Sequence, residues 1–129
     1  MIVDTSAIMA VLLREPEAKR FELALAAAPK RAMSAATFVE LVNVIDRRLG
    51  ANLVPVAEAL MAAAKIELMP FTVEQAQWAR HARLHYGIGR HRAGLNFGDC
   101  FAYALAKSTG EPLLFKGEDF IHTDIVSAV

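Results

Sequence analysis

The sequence predicts a three-layer α/β/α domain with a mostly parallel sheet of four to five short strands flanked by helices. Short apolar runs alternate along the chain with longer stretches of helical spacing, the pattern of strand–helix–strand crossovers, which are right-handed in parallel sheets. Several of those runs are followed by a carboxylate, as in Val3-Asp4 and Phe115 to Asp119, and parallel sheets bind ligands beyond the carboxyl ends of their strands. A chain of 129 residues is expected to form one domain spanning 1–129, long enough to bury a core without disulfides or a structural metal.

Met1-Ile2-Val3 reads as a first strand that delivers Asp4 to its end, with Thr5 and Ser6 as caps for a helix from Ala7 to Leu13. Pro16 is suited to the first position of a second helix, which carries Phe21, Leu23 and Leu25 and is stopped by Pro29. Arg31 to Ser34 reads as a weak strand. The helix that follows, Ala35 to Leu49, places Phe38, Leu41, Val42, Ile45 and Leu49 on one stripe and leaves Glu40 opposite, beside Asn43 and Arg47. Periodicity alone therefore assigns Glu40 to a solvated face, although Val39 and Val44 make that side less polar than usual. Gly50 ends the helix, and Pro55 opens the next, which runs to about Lys65.

Ile66 to Phe71 reads as a strand packed on both sides, and Thr72 with Gln75 as a capping box for a helix to Tyr86. His81 and His85 have a spacing that can hold zinc, but no cysteine or other histidine accompanies them at ligand spacing, so they read as surface or packing residues. Gly87 to Gly94 is a glycine-bounded basic stretch, expected as a mobile loop whose Arg90 and Arg92 contact phosphates or serve as a solvated linker. It leads into Gly94 to Ala104, where Asn96 is suited to cap a helix and Asp99 lies in its first turn. The free amides and the helix dipole there favour an ionised Asp99, ready to hold a cation; on spacing alone it is equally a helix-capping acid. Pro112 to Phe115 gives a buried strand, Lys116 to Phe120 turns out of it, and Ile125-Val126 reads as a last edge strand after Asp124.

Composition narrows the function classes. Lys plus Arg and Asp plus Glu are 14 each, so net charge gives no steering toward nucleic acid and any such binding needs a local basic patch. The apolar fraction of 55% with positive mean hydropathy points to exposed apolar surface for a partner or a homodimer contact. The single cysteine, Cys100, excludes an internal disulfide and reads as a small buried hydrophobe. Charged residues recur too often for a membrane span, and no basic leader precedes Asp4, so a soluble cytoplasmic chain with no membrane partner is expected.

In the predicted layout Asp4, Asp99 and Asp119 converge from distant points of the sequence. Carboxylates crowded together repel and share a proton unless a cation neutralises them. Hard oxygen donors without cysteine or histidine select Mg²⁺ or Mn²⁺ over zinc, and a water on such an ion is a nucleophile for phosphodiester cleavage.

The ordered motifs Val3-Asp4-Thr5-Ser6-Ala7, Ser34-Ala35 with Glu40, Leu95-Asn96-Phe97-Gly98-Asp99, and Phe115-Lys116-Gly117-Glu118-Asp119-Phe120 with Thr123-Asp124 resemble those of PIN-domain ribonucleases. The likeness covers the whole chain and is closer still to VapC toxins of type II toxin–antitoxin pairs. It implies a PIN-like fold and a Mg²⁺-dependent endoribonuclease acting on tRNA or rRNA, neutralised by a cognate VapB-type antitoxin. Carried over by position, it implies Asp4 and Asp99 as metal ligands, Glu40 and Asp119 completing the catalytic acids, and Thr5 or Ser6 orienting Asp4 or substrate. Glu118 and Asp124 stay open as alternatives to Asp119. Two other readings stand beside it. One is a non-catalytic partner-binding module, motivated by the apolar content. The other is an Asp-based phosphatase or phosphoacceptor, to which Ser6 objects, because that pattern wants a second acid there.

Overall fold

The computed structural model describes residues 1–129. Four strands, β1 (Ile2–Val3), β2 (Arg31–Ser34), β3 (Ile66–Met69) and β4 (Leu113–Leu114), form one sheet in the order β3-β2-β1-β4 with every pairing parallel. Parallel neighbours need crossovers, and six helices supply them: α1 (Thr5–Leu12) and α2 (Ala18–Ala27) between β1 and β2, α3 (Ala35–Leu49) and α4 (Val54–Ala63) between β2 and β3, and α5 (Val73–Tyr86) and α6 (Asp99–Thr109) between β3 and β4.

The strands are short but their apolar pairs face opposite layers. Val3, Met33 and Leu114 enter a core with Ile8, Phe21, Leu41 and Ile45 from α1, α2 and α3. Ile2 and Leu113 enter a second core with Tyr103 and Leu105 of α6, Leu95 and Phe115. Two apolar clusters on the two faces of one parallel sheet are the predicted three layers. The chain steps outward from β1 to β3 and then returns to the far side of β1 for β4. Strand order thus reverses between β1 and β4, and the crevice at their carboxyl ends is open for ligands.

Local boundaries depart from the sequence reading where a side chain found a better partner. Asp4, rather than Thr5 or Ser6, caps α1: its carboxylate accepts from the Ser6 amide, so the helix starts at Thr5. Pro16 lies in a turn, and α2 starts two residues later at Ala18. Strand β3 was expected to be covered on both sides, but it is the sheet edge and its residues are half-buried or exposed. Thr72 caps α5 through the Gln75 amide, but the Gln75 side chain donates to the Pro70 carbonyl at 3.2 Å, so the box is not reciprocal.

The predicted last strand reduces to a single parallel bridge between Leu113 and Ser127. The basic stretch before α6, expected to be mobile, is pinned at its base, where Ile88 and Leu95 exchange backbone bonds with Leu95 and Tyr86. No helix is long and apolar enough to cross a membrane.

Ile45 of α3 is fully buried and Val39 of the same helix is 66% exposed. Ile45→Ala is expected to lower the unfolding free energy by about 2–5 kcal/mol, and Val39→Ala to change it by less than about 0.5 kcal/mol, in urea titrations.

Candidate active site

Asp4 lies where β1 meets α1 and is 3% exposed. Its amide donates to the Leu114 carbonyl at 3.0 Å, which ties it to the neighbouring strand. Oδ2 accepts from the Ser6 amide at 2.9 Å and the Ser6 hydroxyl at 2.6 Å, and the Ser6 Oγ in turn accepts from the Lys116 amide at 2.9 Å. The carboxylate is therefore locked between the ends of β1 and β4. Its other oxygen, Oδ1, is buried with no partner. A buried anion with an orphaned oxygen is unfavourable, and burial raises the Asp4 pKa against the pull of the Ser6 bonds, with Asp119 adding to the rise.

Glu40 comes from α3. Its Oε2 accepts from Thr5 Oγ1 at 2.8 Å, and its carboxyl lies over Gly98, where any Cβ would collide with it. Burial raises its pKa, Thr5 opposes the rise, and Asp4 adds to it. The apolar stripe of α3 does turn to the core, with Leu41 and Ile45 buried. A second stripe, Glu40, Val44 and Arg48 at four-residue spacing, lines the cleft, with Glu40 and Val44 half-buried and Arg48 exposed at its edge.

Asp99 opens α6 in a reciprocal capping box: its amide donates to Asn96 Oδ1 at 2.9 Å, and its Oδ2 accepts from the Asn96 amide at 2.8 Å. The cap predicted from spacing is present, and its pull toward an ionised side chain is opposed in the metal-free cleft. Burial first, then the charges of Asp4, Asp119 and Glu40, lift Asp99 to about 7 against the single Asn96 bond. Asp119 is exposed on the rim, carried by a turn that Phe120 anchors through a ring contact with Phe115 at 5.1 Å. All four acids line one cleft of about 380 Å³.

The other sequence candidates separate. Thr5 and Ser6 are in the cleft on the bonds just described. Asp124 is not: its oxygens accept from Tyr103 Oη at 2.8 Å and Lys107 Nζ at 2.9 Å, which commits it to packing against α6. Glu118 does not line the cleft, and neither do Arg90 and Arg92, which are exposed on the turn before α6. His81 and His85 stack on one another with ring centroids 3.9 Å apart. Cys100 is buried, donates to the Asn96 carbonyl, and its thiol is pushed up to about 11, chiefly by burial.

Sequence reasoning missed the cleft's remaining charged groups, Glu15, Arg48 and Lys116. Arg48 carried a usable signal in its spacing from Glu40, and Lys116 in its place just past β4. Glu15, which follows α1 and meets Lys116 only in three dimensions, carried none.

The donor set is all oxygen, and the orphaned Asp4 Oδ1 offers a free lone pair to a cation. No group of three or more acids, histidines or cysteines is arranged to enclose an ion on its own. An ion that takes one or two carboxylates and keeps water for its other positions, as Mg²⁺ does, fits this arrangement.

The PIN domain family model matches residues 1–126. A Mycobacterium tuberculosis protein named Ribonuclease VapC30 is 50% identical over 127 residues, covering 98% of this chain and 97% of its own length. Ribonuclease VapC of Mycolicibacterium smegmatis is 47% identical over 127 residues, covering 98% of each. Among solved structures, M. tuberculosis VapC20, described as a sarcin-ricin loop cleaving toxin, superimposes with a TM-score of 0.74 at 19% identity, over 97% of this chain and 95% of that one. VapBC2 from Rickettsia felis, bound to a DNA fragment from its promoter, gives 0.71 at 13%, over 98% and 94%. At these identities the structural likeness is one of fold. The chain belongs to the PIN-domain family, among its VapC ribonucleases.

Two outcomes are expected from this geometry. In the folded chain Asp99 keeps its proton up to about 7, whereas in the unfolded chain it loses it near an ordinary aspartate value of about 4. The folded state thus binds more protons across that window, and the metal-free protein is expected to lose stability as pH rises from about 4 to about 7. Urea midpoints across that range check this, with a shallower slope expected for Asp99→Asn and in the presence of Mg²⁺. Gly98→Ala drives a methyl group into the Glu40 carboxyl and is expected to reduce nuclease activity at least about tenfold with the far-UV spectrum unchanged.

Proposed function

We propose that this protein is a Mg²⁺-dependent endoribonuclease, the toxin of a type II toxin–antitoxin pair that acts in the cytoplasm and is restrained by a cognate VapB-type antitoxin. The observation that carries the reading is the buried Asp4 carboxylate, held through one oxygen and unpartnered at the other, in a cleft shared with Glu40, Asp99 and Asp119. Asp4 and Asp99 are the residues that would hold the ion directly, with Glu40 and Asp119 joined to it through water. When bound, Mg²⁺ supplies a water of lowered pKa and offsets charge on the phosphate.

The chain's own groups set the rest. Ser6, fixed by the Lys116 amide, stops the Asp4 carboxylate from rotating. Thr5 fixes Glu40 Oε2 and leaves Oε1 to accept a proton from the attacking water, a task suited to a carboxyl whose pKa burial has raised. As the water oxygen bonds to phosphorus, the bond to the leaving ribose oxygen breaks, and that oxygen takes up a proton from solvent while Glu40 returns its own to solvent. Arg90 and Arg92, exposed at the turn before α6, are offered to RNA extending beyond the cleft. The names of the relatives support RNA as substrate, and VapC20's description points to a structured target such as rRNA or tRNA. The Rickettsia felis VapBC2 structure supports an antitoxin partner. Large apolar side chains left on the surface, Leu23 at 59% and Val56 at 49% exposed among them, support contact with that antitoxin or with a second copy in a homodimer.

Purified protein with Mg²⁺ is expected to cleave RNA, and a chelator to abolish cleavage reversibly. Asp4→Asn or Asp99→Asn is expected to reduce the rate by at least about 10²-fold with the fold intact, read by gel assay and circular dichroism. Undiminished cleavage by both variants would overturn the reading.

A further inference from the structure

The cleft that must accept a polyanion is itself lined by acids, which raises the question of what draws an RNA strand into it. Two cations line it, Lys116 and Arg48. Lys116 is already neutralised: its Nζ lies 2.7 Å from Glu15 and 3.4 Å from Glu17, and its pKa is raised, first by the Glu15 bond. Arg48 differs, for it takes part in no ion pair or side-chain hydrogen bond of the molecule. It projects from the same face of α3 as Glu40 and Val44, about 12 Å along the helix axis from Glu40 at 1.5 Å per residue. Its guanidinium forms an ion pair with none of the cleft carboxylates. The cleft is also not closed at that end. A shallow hollow of about 280 Å³, lined by Val44, Arg47 and Arg48, adjoins it and shares Val44 and Arg48 with it.

We infer that Arg48 binds a backbone phosphate next to the scissile one, and that the RNA strand leaves the acids along α3, over Val44. This rests on the reading of the cleft as an RNA nuclease site and deepens it by assigning the strand's path. A guanidinium suits the role because its planar fork takes two phosphate oxygens at once, and because it keeps its charge beside any number of acids. Val44 supplies an apolar floor between the carboxylates and the arginine, against which a sugar can lie without competing for the ion. The competing account is that Arg48, in the last turn of α3, only offsets the negative end of the helix dipole, as Arg47 beside it does.

The test uses full-length protein carrying Asp4→Asn, so that RNA is held and not cut, with binding of a fluorescein-labelled single-stranded RNA of mixed sequence followed by anisotropy over a range of salt concentrations. Adding Arg48→Ala is expected to weaken binding about tenfold, the scale of one charge-assisted hydrogen bond, and to reduce the slope of log K against log salt by about 0.7, one phosphate's share for a single strand. Arg48→Lys should keep the slope while losing part of the affinity. Lys19→Ala, a cation on α2 that does not line the cleft, should change neither. In otherwise wild-type protein, Arg48→Ala should raise KM for cleavage with kcat nearly unchanged. An unchanged salt slope with a lowered melting temperature would overturn the assignment in favour of the helix-dipole account and leave the nuclease reading standing. Absence of binding by every variant, the Asp4→Asn parent included, would overturn the assigned strand path, and the nuclease reading falls separately if purified protein with Mg²⁺ cleaves no RNA.

Discussion

The structure is governed by the repulsion among four carboxyl groups held at the end of one parallel sheet. Asp4 is nearly inaccessible, Glu40 and Asp99 are half-buried, and Asp119 stands at the rim. Each is raised, or raises another, because the medium around it is poorer than water at stabilising charge. Such a group is a standing cost to the fold, and the local hydrogen bonds offset it only in part. Ser6 gives Asp4 two donors, Thr5 gives Glu40 one, and Asn96 gives Asp99 one. The conflict left over is of the kind that a bound cation relieves by neutralising the carboxylates.

The fold makes that conflict affordable by supporting each acid from a different rigid element. The reversal of strand order between β1 and β4 opens the crevice, and the bond from the Lys116 amide to Ser6 closes its floor. Helix α3 crosses on one side and the start of α6 on the other, with Gly98 allowing Glu40 and the α6 turn to come closer than any side chain would permit. Beneath them lie two apolar layers, whose fully buried members include Val3, Ile45 and Leu114 on one face and Leu95, Tyr103 and Leu113 on the other. A site under electrostatic strain rests on a core whose central members are fully buried.

Much of this was legible in the sequence, for reasons that differ by residue. The alternation of apolar runs and helices gave the layers and the parallel sheet, because period and length are local properties of the chain. Helix α3 was read to its boundaries from its apolar stripe and Gly50, and the structure adds the Ser34 side chain as its N-cap. Asp4 was legible as an acid past a strand. Glu40 was not, because a helix wedged between a core and a cleft has two buried faces, and a single apolar stripe reports one of them. Its place came from family resemblance, and the Gly98 contact now gives the physical reason for it. Choosing among Glu118, Asp119 and Asp124 needed the fold, since only coordinates reveal that Tyr103 and Lys107 claim Asp124. The rise at Asp99 was not legible from its own motif for a related reason: a capping motif reports the favourable amides, whereas the opposing charges come from residues far away in sequence.

The most direct measurement of this electrostatic account is a carboxyl-carbon NMR titration of Asp99 in metal-free protein, repeated with saturating Mg²⁺. The account requires a midpoint at about 7 without the ion, falling well below that value and releasing a proton when Mg²⁺ is added. An ordinary aspartate midpoint near 4 in the metal-free protein, or a raised midpoint that Mg²⁺ does not move, would contradict it.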